Sequence, residues 1–213
     1  MAKIYLLNNQ KYEGIINLEV FKVKSTKYLV DCSKYDALVF TSKNAIYSLE
    51  ENSINWKNTP SYLIASKTAK VAKDYGANIA FVGANGHGNE FAKELIPLLK
   101  NKKVLYVKAL KTVSNLVEIL KENEIDLDEI VSYQTVCNNF LEKVELEKNS
   151  TIIFTSPSSV ECFFNNFKWD KSFKAVLIGK TTEKFLPKEV NDYVISKTTD
   201  VTECVNIAKR SFS

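Results

Sequence analysis

The residues best suited to chemistry in this chain are hydroxyls at strand-to-helix junctions. Thr41-Ser42 follows the apolar run Ala37–Phe40, and Thr155-Ser156 follows Thr151–Phe154, each just before a helical pattern. Similar junctions occur at Ala65-Ser66 and at Gly179-Lys180-Thr181. First-turn N–H groups of a helix have no internal partner and the dipole there is positive, so such starts bind carboxylate or phosphate without arginine. Ser42, Ser66, Ser156 and Thr181 could equally act as N-caps alone, each worth about 1 kcal/mol. Four helix starts facing one cleft favour anion binding. Tyr133, in Val131–Val136, offers a different chemistry. A phenol is protonated at neutral pH and can give a proton or a hydrogen bond to a departing oxygen. Packing is the competing role, since the chain holds ten tyrosines.

Other chemistries find little support. His87 is the only histidine, and Cys32, Cys137, Cys162 and Cys204 form no CxxC pair, so no metal site is expected. The thiols are expected to be reduced and mostly buried. In the loop Val82–Glu90, Gly86 and Gly88 begin a G-x-G, but Phe91 stands where a dinucleotide loop carries Gly or Ala. There is no Ser-His-Asp order and no paired-carboxylate pattern. The net charge of +4 is carried almost wholly by lysine, with Arg210 the sole arginine. Basic residues are evenly spread, which argues against a nucleic-acid partner. No apolar run approaches the roughly 18 residues of a membrane helix, and the N-terminal apolar segment is too short for a signal peptide. A cytoplasmic protein, and a monomer, are expected.

The elements that must position these residues are written twice. Phe40-Thr41-Ser42 and Phe154-Thr155-Ser156 lie 114 positions apart (154 − 40). The same offset pairs Leu63-Ile64 with Leu177-Ile178, Thr68 with Thr182 and Lys70 with Lys184. Each copy alternates short apolar runs with helical patterns, the signature of βαβ units and parallel sheets. In the first copy helices are expected from about Asn44, Lys67, Asn89 and Val113; in the second, from about Ser158, Thr181 and Val201. The second copy ends before its fourth strand, but "AKIYLLNNQK" at the start resembles "KKVLYVKALK", Lys102–Lys111. The expected class is therefore α/β: two similar lobes with parallel sheets flanked by helices, joined by a two-stranded antiparallel connector. Residues 1–18 and 138–213 would form a discontinuous domain, 36–123 an inserted one, and 19–35 with 124–137 the connector strands. A ligand cleft is expected between the lobes, beyond the carboxyl ends of the strands.

Four motifs in order, "FTSKNAI", "SYQTV", "IIFTSPSSV" and "VLIGKTTEKFL", span nearly the whole chain, which resembles the uroporphyrinogen-III synthase family. The resemblance implies a cofactor-free lyase reaction on a small-molecule linear tetrapyrrole, hydroxymethylbilane. Water is lost and the ring closes with inversion of the last pyrrole, giving uroporphyrinogen III. It also implies Tyr133 as the donor to the leaving hydroxyl. Helix-start amides with Ser42, Thr68, Ser156, Ser158, Thr181 and Thr182 would grip the substrate's carboxylates, and Ser66 and Lys180 open two of the same helices. The family often carries Thr-Arg where this chain has Leu7-Asn8-Asn9, Arg-Gly at Lys108-Ala109, and Gly at Ala65. Lys108 or Lys180 could stand in as point charges, without the bidentate fork of arginine. The alternative from another class is a non-catalytic two-lobed binding protein for a small anionic ligand.

Overall fold

The computed structural model describes residues 3–140 and 144–210. Three strands open the chain: β1 (Ile4–Leu6), β2 (Ile16–Asn17) and β3 (Phe21–Ser25). Then follow β4 (Ala37–Phe40), α1 (Lys43–Glu51), β5 (Ser61–Leu63), α2 (Ser66–Asp74), β6 (Ile79–Val82), α3 (Gly88–Leu99), β7 (Lys103–Ala109) and α4 (Leu116–Glu122). The long strand β8 (Asp126–Cys137) leads to β9 (Thr151–Phe154), α5 (Pro157–Phe164), β10 (Lys174–Leu177), α6 (Lys180–Glu183), β11 (Tyr193–Ile195) and α7 (Val201–Arg210). The fold is mixed α/β, with parallel sheets flanked by helices. The chain divides into two units, Met1–Lys22 with Thr135–Ser213, and Val23–Gln134. Among the described residues, no helix is long and apolar enough to cross a membrane.

The first unit contains a sheet ordered β11-β10-β9-β1-β2; the other sheet runs β3-β8-β7-β4-β5-β6. Their registers match residue for residue. Leu38 pairs with Ser61 and Ser61 with Ile79; 114 positions on, Ile152 pairs with Ala175 and Ala175 with Tyr193. The fourth strand of the first unit comes from the other end of the chain. Ile4 pairs with Thr151 as Val104 pairs with Ala37. β1 therefore holds in one sheet the place that β7 holds in the other. All three β1 residues are buried, as a parallel strand covered on both faces must be. Tyr5 joins the core built on Ile152, Phe154, Phe163 and Phe173, while Ile4 and Leu6 join Ile153, Val176 and the buried face of α7. The second unit repeats the layering, with Val39, Tyr106, Phe91 and Leu95 on one face and Leu38, Phe40, Leu105 and Trp56 on the other.

The antiparallel pairing of the connector strands is as expected; several other expectations are revised. Thr26 N donates to Ser132 O at 2.9 Å and Asn138 N to Val20 O at 2.8 Å, so β3 and β8 pair antiparallel. β8 is more than a connector, because from Asp126 to Tyr133 it also runs parallel to β7 inside the six-stranded sheet. α4 begins at Leu116 rather than Val113, and the helix after β10 is a single turn. The thiols are not all free: Cys137 and Cys162 form a disulfide, with Cα atoms 5.0 Å apart across 25 residues of sequence. The end of β8 and the buried face of α5 meet there, a proximity that no sequence spacing signals. Cys32 and Cys204 are free and buried.

Truncating Leu6, which is fully buried, tests whether β1 is integral. Leu6→Ala should cost about 2–5 kcal/mol, read as a lower urea midpoint with an unchanged slope. A loss below about 1 kcal/mol would show that β1 is dispensable to the sheet.

Candidate active site

The carboxyl-terminal edge of the six-stranded sheet gathers the hydroxyls of the second unit. Up to Lys108↔Val131, β7 and β8 pair one to one; then the register slips and Ala109 pairs with Tyr133. Ser132 is the extra residue. Its carbonyl accepts from Thr26 N and from Ser48 Oγ, and its own hydroxyl donates to Lys108 O at 3.2 Å. A one-residue bulge turns the following side chain to the other face. Tyr133 thereby lands among Leu38, Phe40, Leu105 and Val107, on the side of α1. Burial pushes its phenol above the ordinary value, opposed by a hydrogen bond with the Ser42 side chain. Tyr133 is therefore a neutral phenol across the physiological range.

Ser42 is the N-cap of α1, its Oγ accepting from Asn44 N at 3.2 Å. Its neighbour Thr41 hydrogen-bonds the phenol of Tyr106 at 2.8 Å. Tyr106 is buried to 1% exposure. Its phenol is pushed up to about 12, first by burial and further by the Tyr133 and Glu129 charges, against the opposing Thr41 bond. Beside it, Glu129 accepts from Lys108 and from Lys121, both at 2.8 Å. Burial alone would raise the Glu129 carboxyl, but the two lysines outweigh it and hold it below the usual range. Lys108 thus stands in an ion pair, with its ammonium 6.0 Å from the Tyr106 ring centre.

The remaining expected residues sit at helix starts in both units. Ser66 and Thr181 are not caps: Ala65 and Gly179 occupy those positions, and no side chain caps α2 or α6. Ser66, Lys180 and Thr181 are exposed, whereas Thr68 and Thr182 are buried, their amides turned back to Ala65 O and Gly179 O at 3.0 Å. In the first unit Ser156 caps α5 in a reciprocal box with Ser159, and Ser158 lies half-buried in the first turn. Within the second unit, then, Ser42 and Tyr133 meet directly. Ser156 and Ser158 share one helix start of the first unit, and Lys180, Thr181 and Thr182 another.

Sequence reading missed Tyr106, Glu129 and Ser159. Tyr106 looked like one more apolar residue of a buried strand; its place opposite Val39, level with the strand end that becomes Thr41, is visible only once the register is known. His87 is an exposed N-cap residue of α3 that makes no cap bond, and among the described residues no His, Cys, Asp or Glu cluster could hold a metal. The first unit also holds a cavity of about 740 Å³ walled by Phe164, Phe167, Trp169 and Phe173. Phe173 precedes β10, so this hollow lies at the amino-terminal edge of its sheet, away from the helix starts.

A family model described as uroporphyrinogen-III synthase HemD matches residues 21–206. A porphyrin biosynthesis protein HemD of Ruminiclostridium josui is 26% identical over 191 residues, 81% of this chain and 37% of that relative. The chain thus spans little more than a third of that protein's length. The crystal structure of uroporphyrinogen-III synthetase from Helicobacter pylori 26695 is similar at 28% identity and TM-score 0.87, covering 99% of this chain and 100% of that one. A mutant uroporphyrinogen III synthase from Thermus thermophilus shares the fold, at 17% identity and TM-score 0.60 over 100% and 99% of the two chains.

The raised phenol of Tyr106 has a consequence for stability. Between the ordinary value of 10.0 and about 12 the folded chain keeps a proton that the unfolded chain has released. This contribution is complete below pH 10 and is lost as pH rises toward 12. Tyr106→Phe should therefore flatten the alkaline fall in stability, measured as urea midpoints at pH 9 and pH 11. An equally steep fall in the variant would contradict the assignment.

Proposed function

Because the chain belongs to the uroporphyrinogen-III synthase family, we propose that it cyclises hydroxymethylbilane, with loss of water and inversion of the terminal ring, to uroporphyrinogen III. The observation that carries the reading is Tyr133, turned by a bulge to meet Ser42 at the strand edge and kept neutral by burial. In the proposed reaction Tyr133 gives its proton to the hydroxyl of the substrate. The C–O bond breaks, water departs, and an electrophilic azafulvene remains. The α-carbon of the terminal ring that already carries its methylene bridge attacks first, giving a spiro-linked ring. The old bond from that carbon to the bridge then breaks, leaving a second azafulvene on the neighbouring pyrrole. The free α-carbon of the terminal ring closes on it with loss of a proton, which restores the Tyr133 phenol as the ring regains aromaticity. Uncatalysed closure gives the other isomer, so the protein's main contribution is to hold the chain folded with the right carbon in reach.

The substrate's eight carboxylates need many weak anchors rather than one strong one. In this proposal the helix starts of each unit offer such anchors: Ser66 on α2 in the second unit, and Ser156, Ser158, Lys180 and Thr181 on α5 and α6 in the first. The absence of a side-chain cap on α2 and α6 supports this, since their first-turn dipoles are not neutralised by a side-chain oxygen. The buried Thr68 and Thr182 would shape these turns rather than reach outward. The reading includes a cytoplasmic monomer acting on a free small molecule by proton transfer alone.

Purified protein given hydroxymethylbilane should yield mainly the type III isomer; type I alone, at the buffer rate, would refute the assignment. Tyr133→Phe should slow turnover at least about tenfold, roughly 1.4 kcal/mol in barrier, with unfolding unchanged. Full turnover in that variant would take Tyr133 out of the mechanism.

A further inference from the structure

Tyr106 has no part in the reaction outlined above, yet its position in the sheet bears on it. Phe40 pairs with Val107 and Ala109 with Tyr133. The chain two residues past Phe40 therefore comes level with Ala109, and Ser42, Ala109 and Tyr133 fall in one row on one face. The Ala109 methyl leaves the Tyr133 ring room to lie across β7 toward Ser42. Ser42 Oγ accepts from Asn44 N–H and can give its single proton to the phenol oxygen, the direction in keeping with its lowering effect on that phenol. A phenol that accepts from Ser42 keeps its own proton for another acceptor.

Side chains alternate along an extended chain, so Thr41 points to the opposite face, where Tyr106 hydrogen-bonds it at 2.8 Å. The first unit solves the same local problem differently. There Ser159 Oγ accepts from Thr155 N and Ser156 N at 3.1 Å and donates to Ser156 O at 2.6 Å, tying the turn to its own helix. The residue 114 positions earlier is Ala45, which cannot do this. Conversely, the β1 residue in the place of Tyr106 is Leu6, which has no hydroxyl. One turn is tied from within, the other from across the sheet.

We propose that Tyr106 is a positioning residue: holding Thr41 from one face of the sheet, it fixes Ser42 on the other, and Ser42 aims the proton of Tyr133 toward the substrate. The inference rests on Tyr133 being the acid. It is tested by steady-state kinetics with hydroxymethylbilane on Tyr106→Phe, Thr41→Val, Thr41→Ser and the double variant that combines Tyr106→Phe with Thr41→Val. The first two should each lower kcat about fivefold with KM unchanged, and the double variant should lose no more than either alone, because both remove one hydrogen bond. Thr41→Ser, which keeps the hydroxyl, should retain wild-type kcat. If Tyr133→Phe is slow while Tyr106→Phe and Thr41→Val keep full kcat, or if their losses multiply, the positioning role is overturned and the acid stands. Full activity in Tyr133→Phe would instead remove the acid itself.

Discussion

The parallel register between β1 and β9 is the constraint on which the rest of the molecule depends. A strand in the middle of a parallel sheet must be apolar on both sides and must present its backbone to two neighbours. β1 meets both demands with three buried residues, pairing β9 on one side and β2 on the other. Its register is the one β7 takes with β4, so the strand-to-helix turns after β4 and β9 stand at the same height in their sheets. That equivalence lets Ser42 and Ser156 do the same local job, each capping its helix.

On this scaffold the direction of Tyr133 is set by a single inserted residue. Without the slip at Ser132, the row containing Ala109 would take a serine and Tyr133 would face the side of α3 and α4 instead. The bulge is itself well supported, since the Ser132 carbonyl serves both Thr26 and Ser48. Tying the irregularity from two elements makes the direction of Tyr133 a property of the sheet rather than of a loop, as the proposed proton donor would require.

Much of this could be read from residue types and spacing, for a physical reason. Repetition at an offset of 114 survives because each copy needs the same small hydroxyl turn between strand and helix, and those turns tolerate few side chains. The return of the first strand to the last sheet was legible in the likeness of "AKIYLLNNQK" to "KKVLYVKALK". The bulge was not, because "EIVSYQTV" alternates acceptably in either register. Nor was the identity of the caps beyond Ser42 and Ser156, because the backbone begins α2 one residue, and α6 two residues, earlier than their hydroxyls suggest. The Cys137–Cys162 bond and the pairing of Glu129 with Lys108 and Lys121 are products of three-dimensional proximity that residue types and spacing do not reveal.

The separation of β1 from its partner has a meaning in time as well as in space. Translation delivers Ile4–Leu6 long before Thr151–Ile153, the residues that will lie beside it. The stretch Val23–Gln134, by contrast, is continuous and can close its central strands β4 to β7 while the ribosome is still at work. Until β9 arrives, β1 can pair only with β2 and leaves its other edge open, a state in which an exposed edge invites wrong partners. Its brevity and the polar Asn8-Asn9-Gln10-Lys11 run that follows keep that waiting segment poorly suited to pairing with a stranger.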